Sequence, residues 1–366
     1  MSKNALIVLV ILLAALVGGI WMSGKRDSAP DGKSAAATGT LLPAVDMATV
    51  TAIVLADSSS TTHLARVDGI WCVAEQDNVP ADFTRLRAMM LAIDGLEPGQ
   101  IVETGGDHLA DYGLAVEAEP APMRITLEHA QGTTVLSLGK LREPRAGEQP
   151  WGPSPGRYVR VDEGPVRLLK EDVPMAQADP DQWWDRLLLD VAPESIQQVE
   201  VSQADSTYSI QRGTNGVFEL AGASADETVD EPAAQRLFGA LRSLRAVRRL
   251  PADAEANAAV FTHASQYRAV AEGIAYAITV GAVPAEGDGT RPVKIEVAAS
   301  AEATPEQQAR AAAAMKKLSG RAFAVPAYLA DALRLGKDEV VKPSPPVLEQ
   351  PPVPAEAPPE ATAPSE

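Results

Sequence analysis

The chain is short of the residues that most often carry chemistry. It has one cysteine, Cys72, in 366 residues, which excludes an intramolecular disulfide framework and a zinc ribbon. Its four histidines, His63, His108, His129 and His263, stand far apart in sequence and argue against a His-rich metal site. Positive charge is scarce: 32 Lys plus Arg face 49 Asp plus Glu, a net charge of −17. Such a chain repels phosphate, which argues against nucleic acid as a partner. Neither G-x-G-x-x-G nor G-x-x-x-x-G-K-S/T is present, and H-E-x-x-H and C-x-x-C are missing too. Apolar residues, by contrast, reach 46%. That is enough for real cores and excludes wholesale disorder. At roughly 150 residues per domain, the length allows two or three domains.

The longest apolar run is Ala5 to Met22, ALIVLVILLAALVGGIWM, with no charge and no strongly polar side chain. As a helix it is about 27 Å long, close to the hydrocarbon thickness of a bilayer. A helix apolar on every side belongs in lipid or in the centre of a large core. A cleaved secretion signal needs small residues just after the run, whereas this one ends in Ile20, Trp21 and Met22. The run is therefore expected to be an uncleaved transmembrane anchor at 5–22, after a cytoplasmic start at 1–4. Lys3 before it and Lys25 and Arg26 after it do not decide the orientation. A single anchor ahead of a large acidic body points to a bulk outside the cytoplasm.

Residues 23–47, rich in Ser, Ala, Gly, Asp and Thr, read as a flexible stalk. Residues 337–366 read as a disordered tail, with nine prolines from Pro343 onward beside Glu349, Glu356, Glu360 and Glu366. The tail is either a semi-rigid arm or a segment without a role.

Between these ends the sequence repeats itself, with one module expected at 48–190 and another at 191–336. Val50, Ile53 and Leu55, then His63 to Arg66, the turn Asp68-Gly69 and Ile70 to Val73 correspond to Ile196, Val199 and Val201, Ser209 to Arg212, Asn215-Gly216 and Val217 to Leu220. Alternation and glycine turns predict a three-stranded antiparallel meander in each. A helix follows each meander. Phe83, Leu86, Met90 and Ile93 form the first apolar stripe, and Leu237, Leu241 and Leu244 the second, with Asp82 and Asp230 as caps. Met123 to Leu127 and Val135 to Gly139 correspond to Tyr267 to Ala271 and Ala277 to Gly281; Arg157 to Val161 corresponds to Pro292 to Val297. Thr304 to Gln307 is a capping-box start for a further helix that stops at Gly320, after which a strand resumes. The fold class is α+β with largely antiparallel sheets: two duplicated sheet-plus-helix modules behind the anchor.

Few residues stand out as sites. Asp179, Asp181 and Asp185 faintly suggest calcium, but Trp183-Trp184 interrupts them and a turn glycine is missing; capping acids in a connector is the better reading. Cys72 lies between Trp71 and Val73 in a strand and reads as a structural thiol. Trp183 and Trp184 either cover the seam between the copies or meet a partner. Arg242, Arg245 and Arg249 share a helical face and are either the candidate grip on an acidic partner or anionic envelope polymer, or a solvated face balanced by nearby acids. No metal, cofactor or catalytic residue is implied.

Taken together, Gly69-x-Trp71-x-Val73, Pro80-Ala81-Asp82, Leu109-x-x-Tyr112-Gly113-Leu114, Gly139 and Arg157-Tyr158-Val159-Arg160-Val161 resemble the bacterial domain-of-unknown-function family 4340. The resemblance implies a membrane-anchored envelope protein, often encoded beside ABC-type transport components like those of gliding motility. The expectation is a non-enzymatic accessory or docking subunit of such an assembly. The alternative is a binding module for a cell-wall or surface polymer.

Overall fold

The structure is a computed structural model that describes residues 39–117, 119–143, 156–170, 172–173, 176–224, 226–251, 259–282 and 289–343. The expected anchor at 5–22, the start at 1–4, most of the stalk and the tail from 344 lie outside the described residues. Among the described residues no helix is long and apolar enough to cross a membrane.

Two expected boundaries move. The stalk ends earlier than residue 47, because Leu41, Leu42 and Val45 are buried and the Leu41 N–H donates to Leu96 O at 2.6 Å. The tail begins later than residue 337, because Val340 is fully buried inside a short helix followed by a strand. In both places a few aliphatic side chains inside a polar stretch join the core.

The chain forms a mainly antiparallel α+β fold. In order it runs β1 (Ala52–Ala56), β2 (Thr61–Val67), β3 (Ile70–Val73), β4 (Val79–Pro80), α1 (Phe83–Asp94), β5 (Gln100–Glu103), β6 (Met123–His129), β7 (Gly132–Leu141), β8 (Arg157–Val161) and β9 (Val166–Leu169). It continues with β10 (Leu187–Leu189), β11 (Ile196–Ser202), β12 (Thr207–Arg212), β13 (Phe218–Leu220), β14 (Glu227–Val229), α2 (Glu231–Gly239), β15 (Leu244–Arg245) and β16 (Arg248–Arg249). Last come β17 (Ser265–Ala271), β18 (Ile274–Val280), β19 (Thr290–Ala299), α3 (Pro305–Leu318), β20 (Ala322–Pro326), α4 (Ala327–Ala332), α5 (Lys337–Val340) and β21 (Val341–Pro343).

Two compact units form. Among the described residues, one comprises 39–50 and 89–176; the other comprises 51–88 and 177–343. The division does not follow the 48–190 and 191–336 modules, since the meander that opens the first module clusters with the second. In the first unit the strands lie in the order β6-β7-β8-β9-β5, all antiparallel. Its fully buried core includes Ile125, Leu127, Leu136, Val159 and Val166.

The second unit holds the meander β4-β3-β2-β1 and an eight-stranded antiparallel sheet, β13-β12-β11-β17-β18-β19-β20-β16. The run β17-β18-β19-β20-β16 has the same order as β6-β7-β8-β9-β5. In each, the last place goes to the strand that precedes the hairpin in sequence. The two meanders match likewise, β3-β2-β1 against β13-β12-β11.

Local chemistry explains several elements. The Asp68-Gly69 turn takes φ of 49° and 82°, the left-handed pair that a two-residue hairpin requires. Asp82 Oδ1 accepts from Arg85 N at 3.0 Å, and Asp230 Oδ1 accepts from Ala233 N at 3.0 Å, so both helices carry the expected caps. Thr304 and Gln307 form the capping box of α3. Two helical expectations change. On α1 the buried stripe is Leu86, Met89 and Ile93, while Phe83 is 60% exposed, so the core face is rotated by one position. The second helix stops at Gly239, and Ser243 takes a φ of 51°. Leu241 and Leu244 still reach the core, but from a turn and from β15.

Glycine contacts recur in both halves. A Cβ on Gly139 would lie 2.3 Å from Tyr112 O, and a Cβ on Gly281 would lie 2.4 Å from Val260 O. Each glycine, near the end of the second strand of its hairpin (β7 or β18), lets a turn sit flat against that strand. Gly113 ends the first of these turns with a φ of 65°. Gly139→Ala and Gly281→Ala are each expected to cost about 1–3 kcal/mol through overpacking. Gly239→Ala, with nothing within 4 Å of its added Cβ, is expected to gain up to about 1 kcal/mol from helix propensity. Urea midpoints of the three variants check the ordering.

Candidate partner surface

The segment from Gln177 to Val191 is the spine of the second unit. Its N–H and C=O groups pair on one side with the meander. Asp82 N donates to Trp183 O at 2.7 Å, Asp185 N donates to Pro80 O at 2.9 Å, and Ala81 bridges Trp184. Thr62 Oγ1, fully buried, donates to Ala178 O at 2.6 Å. On the other side β10 pairs with β15.

The two tryptophans on this spine are 0% and 1% exposed. Both are buried rather than open to solvent, so neither Trp183 nor Trp184 offers its side chain to a partner. The Trp183 indole N–H donates to Gln177 O at 2.7 Å, and Arg85 stacks on its ring at 4.9 Å. Trp184 stacks on Phe323 with ring centroids 6.1 Å apart. Its own indole N–H is buried without a partner among the described residues.

The three arginines separate as well, because no single helix carries them. Arg242 lies in the turn after α2, Arg245 on β15 and Arg249 on β16. Arg242 and Arg245 are exposed. Arg249 is only 11% exposed; its guanidinium donates to Gln76 O and the Asp77 carboxylate.

Sequence reasoning missed the cations that join Arg249. Arg321 donates to Asp77 O at 2.9 Å and also to the carbonyls of Lys316 and Lys317 at 2.8 and 2.9 Å, capping the end of α3. Lys316 Nζ meets Asp68 Oδ2 at 2.6 Å, and Lys317 donates to the Asp185 carboxylate and Leu187 O. The available signal was Lys316-Lys317 in a last helical turn followed by Gly320-Arg321, the pattern that complements a helix dipole. Burial, then the neighbouring Arg249, push the Arg321 guanidinium below its ordinary value. The hydrogen bond from Lys316 holds Asp68 below its own. Of these residues Asp77, Lys316 and Arg321 line an open depression of about 570 Å³, to which Ala312, Met315, Ser319 and Gly320 also contribute.

The remaining sequence candidates are placed as follows. Asp179 caps a 3-10 turn, Asp181 accepts from Gln76 Nε2 at 2.7 Å, and Asp185 takes Lys317. Three different partners thus occupy the three acids. Among the described residues no group of three or more His, Cys, Asp or Glu side chains is arranged to hold a metal ion. His63 pairs with Glu75, and His108 stands exposed at the start of the Leu109–Tyr112 turn. Cys72 is 5% exposed. Burial pushes its thiol up, against the opposite pull of Lys316 and Arg321.

The family model described as a domain of unknown function, DUF4340, matches residues 71–260, just over half of the chain. No curated protein and no solved structure matches.

Proposed function

This chain belongs to the DUF4340 family, and from that premise we propose that it is a non-enzymatic, membrane-anchored bacterial envelope protein. In this reading it serves as an accessory or docking subunit of an ABC-type transport or motility-like assembly. The apolar run Ala5 to Met22 fixes it to the inner membrane, with the sheets outside the cytoplasm. The matching strand orders of the two halves support reading the body as two copies of one sheet-plus-helix module. The observation that carries the proposal is that uninterrupted apolar run, placed directly ahead of a folded body.

The test is purification of the full-length protein from detergent-solubilised membranes of its own host, with identification of what travels with it. ABC-type membrane subunits at near-stoichiometric yield are the expected result. The protein alone, or in the soluble fraction with its first two dozen residues missing, overturns the reading. Arg242 and Arg245, exposed and without a salt bridge to another described residue, favour polymer binding as the second reading. Retention on purified envelope polysaccharide that disappears in an Arg242→Ala, Arg245→Ala double variant would select it.

A further inference from the structure

We propose that the contact between β3 and the C-terminal end of α3 is an ionic latch, which opens locally, ahead of global unfolding, when its exposed charge pairs are screened. The latch pins both ends of β3. Before the strand, Asp68 of the β2–β3 turn takes Lys316 Nζ at 2.6 Å. After the strand, the loop at 74–78 is held by side chains from far along the chain. Arg249 donates to Gln76 O and the Asp77 carboxylate, Arg321 donates to Asp77 O at 2.9 Å, and Asp181 accepts from Gln76 Nε2 at 2.7 Å. All of these residues belong to the second unit.

The two sides of the latch differ in firmness. Asp68 and Asp77 are 76% and 65% exposed, so mobile ions reach both carboxylates, and pairs of this kind are weak and screened by salt. Arg249 and Arg321 are better fixed. Arg249 is only 11% exposed, and Arg321 also donates to the carbonyls of Lys316 and Lys317. The loop carries a cost of its own: Asp77 and Asn78 are successive left-handed residues, at φ of 50° and 54°, a conformation disfavoured without glycine. When the pairs weaken, the β3 side therefore yields first.

The closed latch covers a chemical reporter. Side chains alternate along a strand, which puts Cys72 on the face of β3 opposite Trp71 and Val73. Its thiol is near enough to Lys316, Arg321 and Asp68 to feel all three charges, and Cys72 is only 5% exposed. It is the one cysteine of the chain. A thiol reagent therefore reports on this contact alone while the rest of the fold stays closed.

The experiment is labelling of the full-length protein, in nonionic detergent, with methyl methanethiosulfonate, an uncharged reagent that transfers a methylthio group to the thiol. Mass spectrometry follows the rate at each salt concentration, and the rate for the urea-unfolded chain at the same salt is the reference. The expected result is a rise of about tenfold from low salt to about 1 M sodium chloride, the effect of weakening two exposed pairs. Urea well below the unfolding midpoint should change the rate little, because a local opening exposes little surface. Asp68→Asn and Asp77→Asn each keep a hydrogen-bonding oxygen and remove the charge, and asparagine fits a left-handed position as aspartate does. The double variant should label at low salt about as fast as the unchanged protein does at 1 M, and lose the salt dependence. A rate indifferent to salt, a rate that climbs with urea as steeply as global unfolding does, or a salt dependence that survives in the double variant would each overturn the proposal.

Discussion

Replacing Trp184 by alanine is expected to remove about 3–5 kcal/mol of stability, the usual cost of truncating a fully buried aromatic. Trp184 is 1% exposed, stacks on Phe323, and belongs to a segment whose backbone pairs with Ala81. One side of its environment is the meander and another is the eight-stranded sheet, so the loss is felt where those parts of the second unit join. Against a typical stability of about 5–15 kcal/mol, the variant approaches the limit of folding. Trp183→Ala should cost about as much. Phenylalanine separates the two positions. At Trp184 it keeps a ring for the stack and removes an indole N–H that is buried without a described partner, so the change should stay within about 1.5 kcal/mol. At Trp183 it deletes the 2.7 Å bond to Gln177 O and leaves that carbonyl unsatisfied, adding about 1–3 kcal/mol. Urea denaturation of the four single variants measures this. Equal costs for the two phenylalanine variants would contradict the assigned partners.

The contrast between these neighbours shows what a sequence can and cannot convey. Local chemistry was legible: the Asp68-Gly69 hairpin, the Asp82 and Asp230 caps, the Thr304–Gln307 capping box and the Gly113 turn all depend on residues within a few positions of one another. Their outcomes follow from short-range sterics and hydrogen bonding. The length of α2 was less legible, because the stripe Leu237, Leu241 and Leu244 satisfies a helical period whether or not the backbone stays helical. Gly239 and the Ser243 turn end the helix, and the same leucines reach the core by another route.

Least legible were the partners of charged groups. Arg249 and Asp77, Lys316 and Asp68, Lys317 and Asp185 lie more than a hundred residues apart in sequence. Nothing local marks them as pairs until the sheet brings them together. The arginine cluster therefore looked like one helical face, while the fold divides it. Arg249 is used inside the second unit, and Arg242 and Arg245 are left at its surface.

A second large effect is expected at alkaline pH, where two buried tyrosines should make stability fall steeply. Tyr208, 4% exposed, donates to Leu335 O at 2.7 Å, and Tyr267, fully buried, donates to Leu237 O at 3.1 Å. Burial pushes both phenols well above their ordinary value of 10.0, with Glu339 and Asp338 adding to the effect at Tyr208. The sign follows from proton counting. Below pH 10 both the folded and unfolded chains keep these protons, and neither tyrosine makes stability depend on pH. Above pH 10 the unfolded chain releases two protons that the folded chain retains, so unfolding is favoured. The loss is about 1.4 kcal/mol per pH unit for each tyrosine, or about 2.7 kcal/mol for both. Tyr208→Phe and Tyr267→Phe should each cost about 1 kcal/mol at pH 8, from the lost hydrogen bond. Each should also remove about half of what these two tyrosines add to the slope between pH 10 and 11, and the double variant should leave only the smaller part due to Tyr112 and Tyr276, whose phenols burial also pushes up. Urea midpoints taken from pH 8 to 11 read this directly. An unchanged alkaline slope in the double variant would mean that these hydroxyls ionise as readily in the folded chain as in the unfolded one, which their burial against backbone carbonyls does not allow.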